Sequence, residues 1–176
     1  MFSTQTQLKR RTPQNGTNRE EYLSLLVDEY LNTSSYEAKC QVLANLANFA
    51  YDPINYSFIR EVGVLDIFVH VLKKETSTKL LRFAIAGICN LCIDPLNAEY
   101  ILTYLGLKYI IALLNSSDTT ILADTITTLL YVYNEHTKPE IITPDVIKVL
   151  QQLKDTEDPR LSNLATIFLQ DVSQIN

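Results

Sequence analysis

The chain has no tryptophan, one methionine, three cysteines and four glycines. Cys40, Cys89 and Cys92 are too few, and odd in number, for the disulfide framework of a small secreted domain. The four glycines and six prolines fall mostly between apolar periodic segments, which disfavours a strand-and-turn protein. No apolar run approaches the ~18 residues of a membrane-spanning helix. Residues 1–18 are rich in Thr, Gln and Asn and contain no hydrophobic signal-peptide core. The expected location is therefore cytosolic or nuclear.

Basic charge is scarce outside one short stretch. Residues 1–18 hold Lys9, Arg10 and Arg11 and no acid. The rest carries the remaining 12 of 15 Lys and Arg and all 20 Asp and Glu, a net charge of −8 against −5 for the whole chain. Phosphate affinity needs clustered cations, so an acidic body is a poor nucleic-acid binder by itself. Residues 1–18 read as a disordered arm and residues 19–176 as one folded domain. The basic triplet is a nuclear import signal, a phosphate contact or simply a solvated tail.

What the chain does have is a repeat. Ala44–Tyr56 reads A-N-L-A-N-F-A-Y-D-P-I-N-Y and returns 42 residues on as A-G-I-C-N-L-C-I-D-P-L-N-A. Asn48, Asp52, Pro53 and Asn55 map onto Asn90, Asp94, Pro95 and Asn97. A period of about 40–47 residues marks a helical solenoid. Apolar residues at helical spacing predict long helices over 35–51, 77–92, 119–133 and 159–172. Asp52-Pro53, Asp94-Pro95 and Asp158-Pro159 read as helix starts, and Gly63 and Gly106 separate a short helix from a medium one. Each unit is thus a short, a medium and a long helix whose apolar faces need stacked neighbours. The third unit is degenerate, with Val132 where Asn90 would recur.

Candidate chemistry is sparse. Cys89-Asn90-Leu91-Cys92 has no second ligand pair for zinc and closes an apolar helix, so its thiols read as buried and inert. His70 and His136 stand outside any catalytic constellation. The acids form no close pair for general acid–base work. Gly87, alone inside a helix, is expected to allow close helix packing. Neither an enzyme nor a cofactor site is expected.

The helix cycle, the glycine before the medium helix and the Asn-Leu/Phe-Ala-like end of the long helix resemble the armadillo-repeat family over residues 20–173. Residues 41–56 (Q-V-L-A-N-L-A-N-F-A-Y-D-P-x-N-Y) and 83–94 (F-A-I-x-G-x-C-N-L-C-x-D) resemble one branch of it well beyond the generic signature. The segments 126–130 and 160–171 resemble the same branch. The resemblance implies an all-α fold, a short right-handed solenoid of about three and a half armadillo repeats, with the long helices lining a concave groove. It further implies a non-catalytic splicing factor of the minor, U12-type spliceosome. Its RNA contact would be made by an RRM-containing partner, RNA-binding motif protein 48, and its location would be the nucleus.

Under that repeat alignment Gln41, Asn45, Asn48, Arg82, Asn90, Asp124, Thr128, Tyr131, Asn163 and Gln170 share the concave face as a protein-docking surface. A solvated helix shows the same polarity. Asn48 and Asn90 hold the position at which many armadillo proteins clamp a peptide backbone with an amide's donor and acceptor. Alternatively, they satisfy backbone groups within the solenoid. Import receptors carry a tryptophan one turn earlier, where this chain has Ala44 and Ala86, so an import-type cargo ladder is disfavoured. A generic adaptor binding an extended peptide remains the rival reading.

Overall fold

A computed structural model describes residues 2–4, 6–7 and 18–174. The basic triplet Lys9-Arg10-Arg11 lies outside the described residues, as does most of the 1–18 arm. The described elements are helical. They comprise α1 (Arg19–Asn32), α2 (Tyr36–Ala50), α3 (Tyr56–Glu61), α4 (Val64–Lys74), α5 (Thr78–Leu91), α6 (Pro95–Tyr104), α7 (Leu107–Ala112), α8 (Thr119–Val132), α9 (Lys138–Ile141), α10 (Pro144–Lys154) and α11 (Pro159–Gln174). Short 3₁₀ helices at Pro53–Asn55 and Leu113–Asn115 complete the set. The short helix that the sequence places between Asp52-Pro53 and Gly63 is therefore a 3₁₀ turn followed by α3. Asp52 accepts from the Ile54 amide, two residues on, whereas Asp94 accepts from the Asn97 amide, three residues on, as an α-helical cap does.

The helix starts follow from their caps. Asn18 and Glu21 form a capping box on α1, with the Glu21 amide donating to Asn18 Oδ1 at 2.8 Å and the Asn18 amide to Glu21 Oε2 at 3.1 Å. Ser35 and Ser77 cap α2 and α5 by accepting from the Ala38 and Leu80 amides at 3.2 and 3.4 Å. Asp118 and Asp158 do the same for α8 and α11. Gly63 and Gly106 precede α4 and α7 with φ of +79° and +81°, a region that a side chain makes unfavourable.

The long helices α2, α5, α8 and α11 pack each against the next, and α1 closes the row against α2. One continuous core runs through them, with Leu43, Leu46, Ile85, Ile88, Ile126, Leu129 and Phe168 almost fully buried. Gly87 lies against Phe68 of α4 so closely that a Cβ there would overlap the ring, so the close packing expected at this glycine is between α5 and α4.

Two arginines stitch successive units. Arg19 Nη1 of α1 donates to Asn55 Oδ1 at 2.8 Å, and Arg60 Nη1 of α3 donates to Asn97 Oδ1 at 2.8 Å. Both asparagines are buried. In each case an arginine of one unit thus reaches the Asp-Pro-x-Asn turn of the next, spanning 36 residues from α1 and 37 from α3.

Candidate protein-interaction face

Counting from the caps Ser35, Ser77, Asp118 and Asp158 sets the register of the long helices. Thirteen residues on from each stand Asn48, Asn90, Tyr131 and Asp171. Nine on stand Ala44, Ala86, Thr127 and Ile167; six on, Gln41, Phe83, Asp124 and Leu164; two on, Glu37, Lys79, Thr120 and Arg160. These offsets lie on one side of a helix, and all sixteen residues are exposed or half-buried. They form the outward face of the long-helix row.

The sequence reading placed only part of this face. Gln41, Asn48, Asn90, Asp124 and Tyr131 lie on it, and the exposed Gln170 sits beside Asp171. Thr128 does not: it is fully buried, its hydroxyl donating to the Asp124 carbonyl one turn back at 2.7 Å. Asn45, Arg82 and Asn163 stand at other offsets from their caps. Asn45 is half-buried and accepts from Gln41 Nε2 at 3.4 Å, while the Arg82 guanidinium lies over the Phe83 ring. Asn163 is exposed. The residue recurring at the Asn90 position is Tyr131, half exposed, and not Val132, which is 2% exposed. The interval between caps shortens by one residue between the second and third units, from 42 to 41. A fixed 42-residue offset therefore points one residue too far. Phe83, Leu164 and Ile167 were missed because an apolar residue looks like core until the register is known.

Asn48 and Asn90 differ. Asn90 Nδ2 donates across to the Ala47 carbonyl of α2 at 3.3 Å, and the Asn90 carbonyl accepts from the Tyr56 hydroxyl at 2.8 Å. One of its two amide protons is therefore used inside the solenoid. Asn48 is exposed and makes no side-chain hydrogen bond among the described residues. It lines a hollow of about 300 Å³ with Arg19, Phe49, Tyr51, Asp52 and Asn55. A second hollow of about 250 Å³ lies between α2 and α5, walled by Glu37, Gln41, Ala44, Lys79 and Phe83. Larger hollows of about 670 and 540 Å³ lie off this face, one between α7 and α10 and the other between α1 and α4.

One pair of opposite charges on the face is joined. Arg160 Nη2 meets Asp124 Oδ1 at 3.0 Å. Burial raises the Asp124 carboxyl above its ordinary range, and Arg160 pulls it back. Burial also pushes Cys89 up to about 11 and raises Cys92, so neither thiol is a ready thiolate. His70 and His136 are both exposed. Among the described residues no group of three or more His, Cys, Asp or Glu is placed to hold a metal ion, and no helix is long and apolar enough to cross a membrane. What the face offers a ligand is amides, small residues, a few aromatic and aliphatic side chains and the exposed charges of Glu37, Lys79 and Asp171.

The comparisons with known proteins point the same way. Armadillo repeat-containing protein 7 of Mus musculus is 45% identical over 152 residues, covering 85% of this chain and 76% of the mouse protein. The chain belongs to the armadillo repeat-containing protein 7 family. No family model matches the chain. Among solved structures, a designed armadillo repeat protein in complex with the peptide (KR)4 superposes with a TM-score of 0.70 at 18% identity, covering 84% of this chain. A computationally designed armadillo repeat protein for modular peptide recognition gives 0.71 at 20% identity over 83% of this chain. The chain spans 63% and 62% of the lengths of those two proteins. At such identity the likeness establishes the fold, an all-helical armadillo solenoid. This member of the family is accordingly an armadillo-repeat scaffold.

Proposed function

We propose that this scaffold binds a protein partner and works in the minor, U12-type spliceosome, in the nucleus. Its partner is an RRM-containing protein of the kind represented by RNA-binding motif protein 48, and RNA is contacted through that partner. The family membership carries the reading, because the blocks at 41–56 and 83–94 that pointed to a splicing factor lie within a chain 45% identical to its mouse relative. The charge of the body supports a division of labour. Residues 19–176 have a net charge of −8, and on the long-helix face Arg160 is paired with Asp124. Phosphate binding needs the opposite balance.

Affinity purification from nuclear extract followed by mass spectrometry tests the reading. Recovery of an RRM protein together with minor-spliceosome components is expected, and their joint absence would count heavily against it. A titration with free RNA separates the roles. Tight binding by this chain alone would overturn the assignment of the RNA contact to the partner.

A second reading has its own observation. The hollow between α2 and α5 and the exposed Asn48 lie on the outward face of the long-helix row, and a solved protein of the same fold was designed for modular peptide recognition. A generic adaptor would take an extended peptide there. It predicts binding of short linear peptides that is lost when Asn48→Ala and Asn90→Ala are combined.

A further inference from the structure

The end of α2 is occupied by the chain's own beginning. The Ser3 amide donates to Asp52 Oδ2 at 3.1 Å, and the Phe2 ring lies against Tyr51 with centroids 5.6 Å apart and planes tilted by 46°. That separation is within the range of favourable aromatic pairs. Residues 2–4 have no regular secondary structure, and the Asp52 carboxylate holds the amide by a charge-assisted bond. Tyr51 is 59% exposed and Phe2 54% exposed, so the contact covers each ring only in part.

The second repeat carries the matching carboxylate, Asp94, with a different set of neighbours. Arg60 Nη1 stands 3.2 Å from Asp94 Oδ1, the same oxygen that caps the Asn97 amide. In the first repeat Arg19 Nη1 bonds to Asn55 and stays 3.9 Å from Asp52 Oδ2, too far for a good hydrogen bond. Asp52 thus divides its oxygens, Oδ1 taking the Ile54 amide and Oδ2 the Ser3 amide. The aromatic neighbour is also particular to this repeat, since Ile93 stands where Tyr51 does. Asn48 and Phe49 wall the adjoining hollow, which joins this spot to the outward face of α2.

We infer that Tyr51 and Asp52 form a binding site for an extended peptide presenting an aromatic side chain followed by a free backbone N–H, and that Phe2–Thr4 is its intramolecular ligand. A partner segment of the same chemistry competes with Phe2–Thr4 for the site. The inference rests on the contacts of residues 2 and 3 and stands apart from the groove and splicing readings.

The test uses the full 176-residue chain and NMR. Ser3→Pro removes the donated proton and leaves Asp52 untouched. Phe2→Ala removes the ring. Both variants are expected to shift the Tyr51 ring signals and the Asp52 and Ile54 amides, with the rest of the spectrum unchanged. A synthetic peptide of residues 1–7, added at millimolar concentration to the Ser3→Pro protein, is expected to return those signals toward their wild-type positions. That concentration range is what a short tether supplies. In wild type, whose site Phe2–Thr4 already occupies, the same peptide is expected to move these signals several-fold less. The same peptide carrying proline at its third position is expected to have no effect.

Wild-type positions for these signals in both variants would overturn the inference, as would a peptide that leaves them unmoved. Failed partner capture with these peptide results intact would count against the proposed function alone.

Discussion

Arg60 and Asn97 are joined by a 2.8 Å hydrogen bond across 37 residues of sequence. Arg60 is on the short helix of one unit, and Asn97 is fully buried near the start of the next unit's short helix. Asn55 and Arg19 repeat the arrangement one unit earlier. The two asparagines are not equally satisfied. Asn55 Nδ2 donates to the Phe49 carbonyl at 2.7 Å, whereas Asn97 Nδ2 is buried with no partner among the described residues. An alanine at 55 therefore breaks two hydrogen bonds. An alanine at 97 breaks one side-chain bond and also removes an unpaired donor. Asn55→Ala is expected to destabilise more than Asn97→Ala, by ~1 kcal/mol, about one net hydrogen bond. Urea denaturation of the two variants checks the order.

Gly87→Ala should destabilise the protein. Alanine for glycine inside an exposed helix normally stabilises by roughly 0.5–1 kcal/mol. Here the added methyl meets the Phe68 ring, which is fully buried and has little room to retreat. Overpacking of this kind costs about 1–3 kcal/mol and should outweigh the helical gain. Pairing Gly87→Ala with Phe68→Leu is expected to recover part of the loss, and thermal unfolding of the single and double variants measures it.

Asn48 and Asn90 should separate binding from stability. Asn90→Ala loses the amide bond to the Ala47 carbonyl and is expected to cost ~1 kcal/mol. Asn48 is exposed, so Asn48→Ala should leave stability within about 0.5 kcal/mol. A change in partner affinity for Asn48→Ala at unchanged stability would mark the outward face as the docking surface. Equal stability losses in the two variants would contradict the hydrogen-bond assignment. Isothermal calorimetry and urea melts give the two readouts.

The thiols set a pH dependence. Burial raises Cys89 to about 11, above the value of about 8.5 in an unfolded chain. The folded state then binds more protons than the unfolded state between those values, so stability falls as pH rises through that interval and is unaffected by this group below it. Melts at pH 8, 9 and 10 should show the midpoint dropping in wild type and dropping less in Cys89→Ala. Labelling by a thiol reagent at pH 8 should be slow for Cys89 and Cys92 until denaturant is added.

The helix cycle was legible because it depends on local chemistry. Caps at Ser35, Ser77 and Asp118, prolines at 53, 95 and 159 and glycines at 63 and 106 each act within a few residues, and apolar spacing then identifies the buried sides. The outward face was harder to read. Its register depends on counting from each cap, and the shorter interval between Ser77 and Asp118 displaces every later position in a fixed-period alignment. Thr128 was misplaced because a small polar residue gives no sign of whether its hydroxyl faces solvent or its own helix backbone.

By itself the sequence determined an acidic, all-helical repeat chain, its family and most of its helix boundaries, since composition, caps and periodicity are properties of neighbouring residues. Tertiary structure decided which residues share a surface and which asparagine is spent on packing. It also decided that Arg19 reaches Asn55 and that Ser3 reaches Asp52. Those pairings join groups 36 and 49 residues apart, and only the stacking of one helical layer on the next sets their distances.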